Sequence, residues 1–225
     1  MDIKNKLYKN IGIHVIATIF TIENGVTKVL LIKRKNEPFK GDWVLTGGAL
    51  YNNERLDDGA KREIFEKTGI KDIYIYQFKL FDKIERSPLM RMIAVGYIGV
   101  IDCERVKILK ETEKTSNADW FPIDKVPRLG YDHEHILSEA IVAFRSLIIK
   151  TDILKALFPN EFTLPELHKV YESILERNID RRNFRKKLLK MNLIIDTNKV
   201  RHFAGKKPAK LYRFNEKHTS SENVF

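Results

Sequence analysis

The chain has 225 residues, room for one large domain or two small ones, and a single cysteine, Cys103, which excludes an internal disulfide framework. Hydrophobic residues make up 43%, enough for a packed core, yet no apolar run approaches the roughly 18 residues a membrane span needs, and MDIKNKLYKN lacks the apolar centre of a signal peptide, so a cytoplasmic protein is expected. The formal charge of +11 is concentrated between Arg177 and Arg213, where 13 Lys or Arg face two acids, Asp180 and Asp196, and this points to a polyanionic partner for the C-terminal part.

In chain order, Gly12–Ile22 and Val29–Lys33 are apolar, β-branched stretches around Glu23-Asn24-Gly25, a strong hairpin signal. Trp43–Leu45 reads as a short strand. Arg55–Lys67 reads as a helix ended near Gly69. Ile73–Phe81, Met92–Ile101 and Ala118–Pro122 are further strands. Asp132–Lys150 repeats apolar residues at a helical period. The periodicity resets near Lys150–Asp152. Ile153–Phe158 is a short helix stopped by Pro159, and Thr163-Leu-Pro-Glu166 is a capping box for the next. A third helix starts at Asp180, a good N-cap. Leu193–Ile195 and Ala209–Phe214 flank a basic loop, Lys199–Lys210. Three helices and a hairpin have the layout of a winged helix-turn-helix. The tail from His218 is polar and expected to be disordered.

Chemistry in the first part centres on Gly48–Ile70. Glu63 and Glu66 are three apart and share a helix face, with Glu54 just before the helix. Converging carboxylates repel unless a cation joins them, and Mg²⁺ accepts such oxygens. Gly47-Gly48 allows close backbone approach to a ligand. The run closely resembles the Nudix box, G-x5-E-x7-R-E-U-x-E-E-x-G-U, with Gly48, Glu54, Arg62, Glu63, Ile64, Glu66, Gly69 and Ile70 in register. The flanks VLLIKRKNEPFKGDWVLTGGAL and ADWFPIDKVPRLGYDHEHIL are similar to those of Nudix proteins acting on ADP-ribose-like compounds. The last box glutamate is replaced by Lys67, whose ammonium repels a metal ion and offers it no lone pair. No catalytic residue and no cofactor are therefore expected, with residual Mg²⁺ binding left open. Candidate effector-binding residues are Arg34, Trp43, Gly48, Glu54, Arg62, Glu63, Glu66, Lys67, Arg86, Arg91 and Asp132.

In the second part, Phe184, Leu188 and Met191 fall on one helix face and the basic residues on the other, the arrangement of a recognition helix. Arg and Asn are the types that read guanine and adenine edges. Arg181 and Arg182 sit at the helix N-terminus, where the dipole disfavours cations unless phosphate is bound. Candidate DNA contacts are Arg181, Arg182, Asn183, Arg185, Lys186 and Lys190 on the helix, with Arg201, Lys206, Lys207 and Lys210 on the wing. FTLPELHKVYESIL, DRRNFRKKLLKMNLI and GKKPAKLYRF resemble the C-terminal domain of the Nudix-related transcriptional regulators, the NrtR family. The resemblance implies an α+β chain. Residues 1–150 would form a Nudix-like α/β/α sandwich sensing an ADP-ribose-like nucleotide or a pentose such as arabinose. Residues 151–217 would form a winged helix binding a double-stranded operator as a homodimer. The alternative is an active Nudix hydrolase of the ADP-ribose pyrophosphatase type with a nucleic-acid-binding appendage.

Overall fold

The computed structural model describes residues 11–158 and 160–216, so the tail expected from His218 lies outside the described residues. The chain divides into two compact units at Val142/Ala143, with the hairpin tip Ile22–Thr27 grouped with the second.

The first unit is built on a seven-stranded mixed sheet with path β3-β2-β1-β6-β5. β1 (Gly12–Glu23) and β2 (Val26–Arg34) are joined at Asn24 and Gly25, whose φ of 52° and 79° match the left-handed backbone of a two-residue hairpin turn. β3 (Trp43–Val44) pairs with β2, and β4 (Thr46–Ala49) pairs with β1. β5 (Ile75–Phe81) pairs antiparallel with β6 (Met92–Val100), and β6 runs parallel to β1. β7 (Thr115–Pro122) closes on β2. From Val15 to Thr21 every residue of β1 is buried, the signature of a strand covered on both faces.

α1 (Leu56–Thr68) has Asp57 and Asp58 in its first turn and Lys67 in its last, as the macrodipole favours, and ends at Gly69 in the left-handed region with its N–H donating to Phe65 O. Its buried face repeats Gly59/Ala60, Glu63/Ile64 and Lys67/Thr68. Two charged side chains thus point inward with the apolar ones. Gly47 and Gly48 let β4 approach closely on both sides. A Cβ at 47 would lie 2.4 Å from Val15 O, and one at 48 would lie 2.3 Å from the Glu63 carboxyl. α2 (His133–Lys150) follows.

In the second unit Ile153–Leu157 is a short 3-10 helix, where the sequence suggests a short helix over Ile153–Phe158. α3 (Leu164–Leu175) carries the expected capping box: Thr163 Oγ1 accepts from the Glu166 N–H, and Glu166 Oε2 accepts from the Thr163 N–H at 2.6 Å. α4 (Arg181–Lys190) is capped by Asp180, whose carboxylate accepts from the Asn183 N–H at 2.8 Å. A three-stranded sheet of order β8-β10-β9 completes it, from β8 (Phe162–Thr163), β9 (Ile194–Phe203) and β10 (Lys206–Phe214).

The stretch Lys199–Lys210 is not the loop expected from its lysines. Val200 pairs with Lys210, Arg201 with Ala209 and Phe203 with Lys206, and the chain reverses at Ala204-Gly205, where Gly205 has a φ of 70°. A ladder uses only backbone groups, so an open ribbon tolerates charged side chains that read as loop composition. Phe184 anchors this unit, edge-on to Tyr171 at 5.2 Å and to His168 at 5.0 Å, and is fully buried. Phe184→Ala should cost about 3–5 kcal/mol, as for other buried aromatics. Urea unfolding of the full chain followed by far-UV circular dichroism checks this; a loss below about 1 kcal/mol would show that Phe184 is not a core anchor.

Candidate functional site

The first unit holds a cavity of about 210 Å³ where β1, β2, β4 and α1 converge. Lys67 lines it from α1, Gly47 and Gly48 from β4, Arg34 from β2 and His14 from β1. Arg86, Tyr131 and His133 close it from the segments before β6 and at the start of α2.

Lys67 is buried, and its ammonium donates to the Gly47 carbonyl and lies 2.9 Å from Glu63 Oε2. Burial lowers the Lys67 pKa; Glu63 opposes this, and Arg34 and Lys114 add to it. Burial alone would raise the Glu63 carboxyl, but Lys67 and Arg62 hold it below the usual carboxylate range. Arg62 reaches both oxygens of Glu54, at 2.8 and 2.7 Å, and Glu63 Oε1 at 2.6 Å. Those hydrogen bonds pull the Glu54 pKa down to about 2 and raise that of Arg62. Glu66 pairs with Lys114 at 3.0 Å.

Across the cavity, Arg86 is buried and held in a two-point pair with Asp132, at 3.1 and 3.0 Å. Arg34 donates from Nε to Pro38 O at 2.8 Å, and its guanidinium lies 5.2 Å from the centre of the Tyr131 ring. Tyr131 stacks on His133 with ring centres 5.3 Å apart. The Leu45 N–H donates to His133 Nδ1 at 3.0 Å, which assigns the remaining ring proton to Nε2. Burial, reinforced by Arg86 and Lys67, lowers the His133 pKa to about 3. Burial and Arg86 likewise lower His14 to about 4. Both rings are neutral near pH 7.

In the second unit, α4 buries Phe184 and Leu188 and exposes Arg181, Arg182, Asn183, Arg185, Lys186 and Lys190. On the wing, Lys207 is exposed, and Lys210 is exposed but paired with Asp196 at 2.9 Å. Arg201 is half-buried, bonded to Glu166 at 2.9 Å and to Glu161 O at 3.1 Å, so it ties β9 to the start of α3. The Lys206 side chain is not among those described.

Known proteins match both units. Residues 12–140 match the NUDIX domain family, and residues 154–214 match the NrtR DNA-binding winged helix domain. The chain is 30% identical over 200 residues to the ADPR responsive transcriptional repressor NtrR of Acinetobacter baylyi, covering 87% of this chain and 79% of that protein. The chain belongs to the NrtR family. Its fold follows that of Shewanella oneidensis NrtR complexed with a 27mer DNA, with a TM-score of 0.75, 27% identity and coverage of 90% of this chain and 93% of that one. The NUDIX domain of the same NrtR, solved with ADP ribose, superposes at a TM-score of 0.56 with 26% identity, covering 64% of this chain and 94% of that domain. As a member of the NrtR family the chain is a ligand-responsive, DNA-binding transcriptional regulator with a Nudix sensor domain.

Of the residues singled out from sequence in this NrtR-family chain, Arg34, Gly48, Lys67 and Arg86 are on the cavity wall. Glu63 stands behind Gly48, and Asp132 holds Arg86. Glu54, Arg62 and Glu66 form an ion-pair network beside the cavity rather than on its wall. Trp43 is off the wall and packs edge-on to Phe121 at 4.8 Å, while Arg91 donates to Lys83 O and Met92 O. His14, Tyr131 and His133 were missed from sequence. The one local signal is the pair of polar, ring-bearing residues Tyr131 and His133 around Asp132, in the segment that resembles the closing segment of Nudix proteins.

A Nudix domain implies Mg²⁺ at the box carboxylates, and the residues present do not suit it. The Glu54 oxygens and Glu63 Oε1 are taken by Arg62, Glu63 Oε2 faces an ammonium, and Glu66 is paired with Lys114. Among the described residues no group of three or more His, Cys, Asp or Glu is placed to hold a metal ion.

The neutral histidines make the first unit acid-sensitive. His133 drops from 6.5 unfolded to about 3 folded, so the folded state binds fewer protons, and its stability is full above pH 6.5 and falls as pH drops toward 3. Both tryptophans, Trp43 and Trp120, lie in this unit, so their fluorescence reports its melting. The melting midpoint should fall steadily below pH 6.5, and His133→Asn, which can still accept from Leu45, should flatten the fall. A profile equally steep in the variant would remove His133 as its source.

Proposed function

We propose that this chain binds a two-fold symmetric operator as a homodimer, with α4 in the major groove and the β9–β10 wing along the backbone, and that a sugar-containing effector in the Nudix cavity sets the affinity. The observation that carries this is the α4 face: Arg182, Asn183, Arg185 and Lys186 are exposed together while Phe184 and Leu188 are buried beneath them. Arg181 and Arg182 at the helix N-terminus work against the macrodipole, a cost of a few tenths of a kcal/mol that a bound phosphate reverses. The Acinetobacter baylyi relative, named as ADPR responsive, supports ADP-ribose as the first effector to test and repression as the output. A cavity of about 210 Å³ is below the roughly 300 Å³ at which drug-sized sites begin, so it takes one end of such a molecule or a free pentose. Neutral histidines and charge-paired Arg86 and Lys67 suit hydroxyl-rich groups, which keeps arabinose as the second effector to test. Lys67 in the box supports loss of hydrolysis. In this proposal the sensor is residues 1–150 and the winged helix 151–217, acting in the cytoplasm.

Gel shifts over upstream genomic fragments should find a palindromic site bound with an affinity that falls steeply with salt. Lys186→Ala should weaken binding across sequences and lower the salt slope by about one, whereas Arg182→Ala at a base contact should cost about 1–3 kcal/mol and relax specificity. ADP-ribose or arabinose should shift that affinity, and ADP-ribose with Mg²⁺ should show no enzyme-like turnover on the order of 1 s⁻¹. No preferred fragment at moderate salt would sink the regulator; rapid turnover would restore the hydrolase.

A further inference from the structure

We infer that the Lys67 ammonium is a built-in replacement for the divalent cation of the Nudix box, so that the cavity takes its effector without any metal ion. The Lys67 Nζ contacts a backbone carbonyl, Gly47 O, and a carboxylate oxygen, Glu63 Oε2. These are the oxygen types a hard dication gathers. An ammonium donates to Gly47 O and lies at ion-pair distance from Glu63 Oε2, which leaves hydrogens for a ligand in the cavity that Lys67 lines. The rest of the donor set is already spent. Arg62 spans Glu54 and Glu63, and Lys114 takes Glu66, so a dication entering here would have to break several short ion pairs. Gly48 closes the arrangement from the other side, since any side chain there would collide with the Glu63 carboxyl.

The helix also says what would undo the replacement. Positions 63 and 67 share the buried face of α1, with Glu54 and Glu66 beside it, so Lys67→Glu sets a second carboxylate against Glu63 where an ammonium now sits. That change removes the internal cation and supplies a donor set for an external one.

The test uses Mn²⁺ alone and the full chain, followed by electron paramagnetic resonance. The wild-type protein should leave the free-ion spectrum unaltered, and K67E should take up Mn²⁺. A second arm rests on the proposal that the cavity holds the effector, and titrates ADP-ribose by calorimetry in chelator or in Mg²⁺. Wild-type affinity should agree within about twofold between the two buffers, whereas K67E should be at least about tenfold weaker in chelator and recover in Mg²⁺. Stoichiometric Mn²⁺ uptake by the wild type, or wild-type ADP-ribose binding abolished by chelator, would overturn the inference. So would a folded K67E that binds no Mn²⁺. If K67E fails to fold, Lys67→Gln replaces it: its ADP-ribose affinity should drop by about tenfold equally in both buffers, and an unchanged affinity counts against the inference. If ADP-ribose binds no form of the protein, the effector proposal fails, and the wild-type Mn²⁺ result still decides this one.

Discussion

A buried ammonium must be paired, and around Lys67 that requirement orders the sensing face of the first unit. Glu63 and the Gly47 carbonyl meet it, and Arg62 satisfies the other oxygen of Glu63. The chain of ion pairs then runs outward through Glu54 and Glu66 to the solvent-facing Lys114. Because every carboxylate in it is held by a cation of the protein, the network is charge-balanced without outside help. The two glycines of β4 let the helix that carries the network sit close enough for a backbone carbonyl to join it.

The far wall obeys the same economy. Arg86 is almost wholly buried and answered by Asp132, and the two histidines are uncharged because they are buried and their surroundings are already cationic. The cavity therefore offers a ligand mostly hydrogen-bond donors, with Arg86 and Lys67 paired to carboxylates and Arg34 held by a backbone carbonyl and the Tyr131 ring. The second unit is arranged oppositely. On α4 the side chains of Arg181, Arg182, Arg185, Lys186 and Lys190 stand in solvent over the buried Phe184 and Leu188. Where a wing cation is paired, as Arg201 is with Glu166, it fastens strand to helix.

Much of the architecture was legible because it rests on local chemistry. Asn24-Gly25 demands a tight hairpin, Gly69 a helix end, and Thr163 with Glu166 a helix start; each appears where its residues require. The substitution of lysine for the last box glutamate was plain as a change of charge. The wing was misjudged as a loop because composition reports side-chain polarity, while strand pairing is made by backbone groups that every residue but proline carries.

The sequence by itself determined the family, the two-part order of sensor and winged helix, and the sign of the charge at position 67. Only the tertiary structure decided where that charge goes. Lys67 could have turned to solvent, leaving the glutamates free for a metal; instead the closeness of β4 to α1 turns it inward onto Gly47 O and Glu63. The same holds for His14, which lies more than a hundred residues from Tyr131 and His133 and meets them because β1 lies at the centre of the sheet and α2 starts beside it. Spacing along a helix is a local property that sequence encodes directly, whereas contacts between distant segments depend on how the sheet is wound.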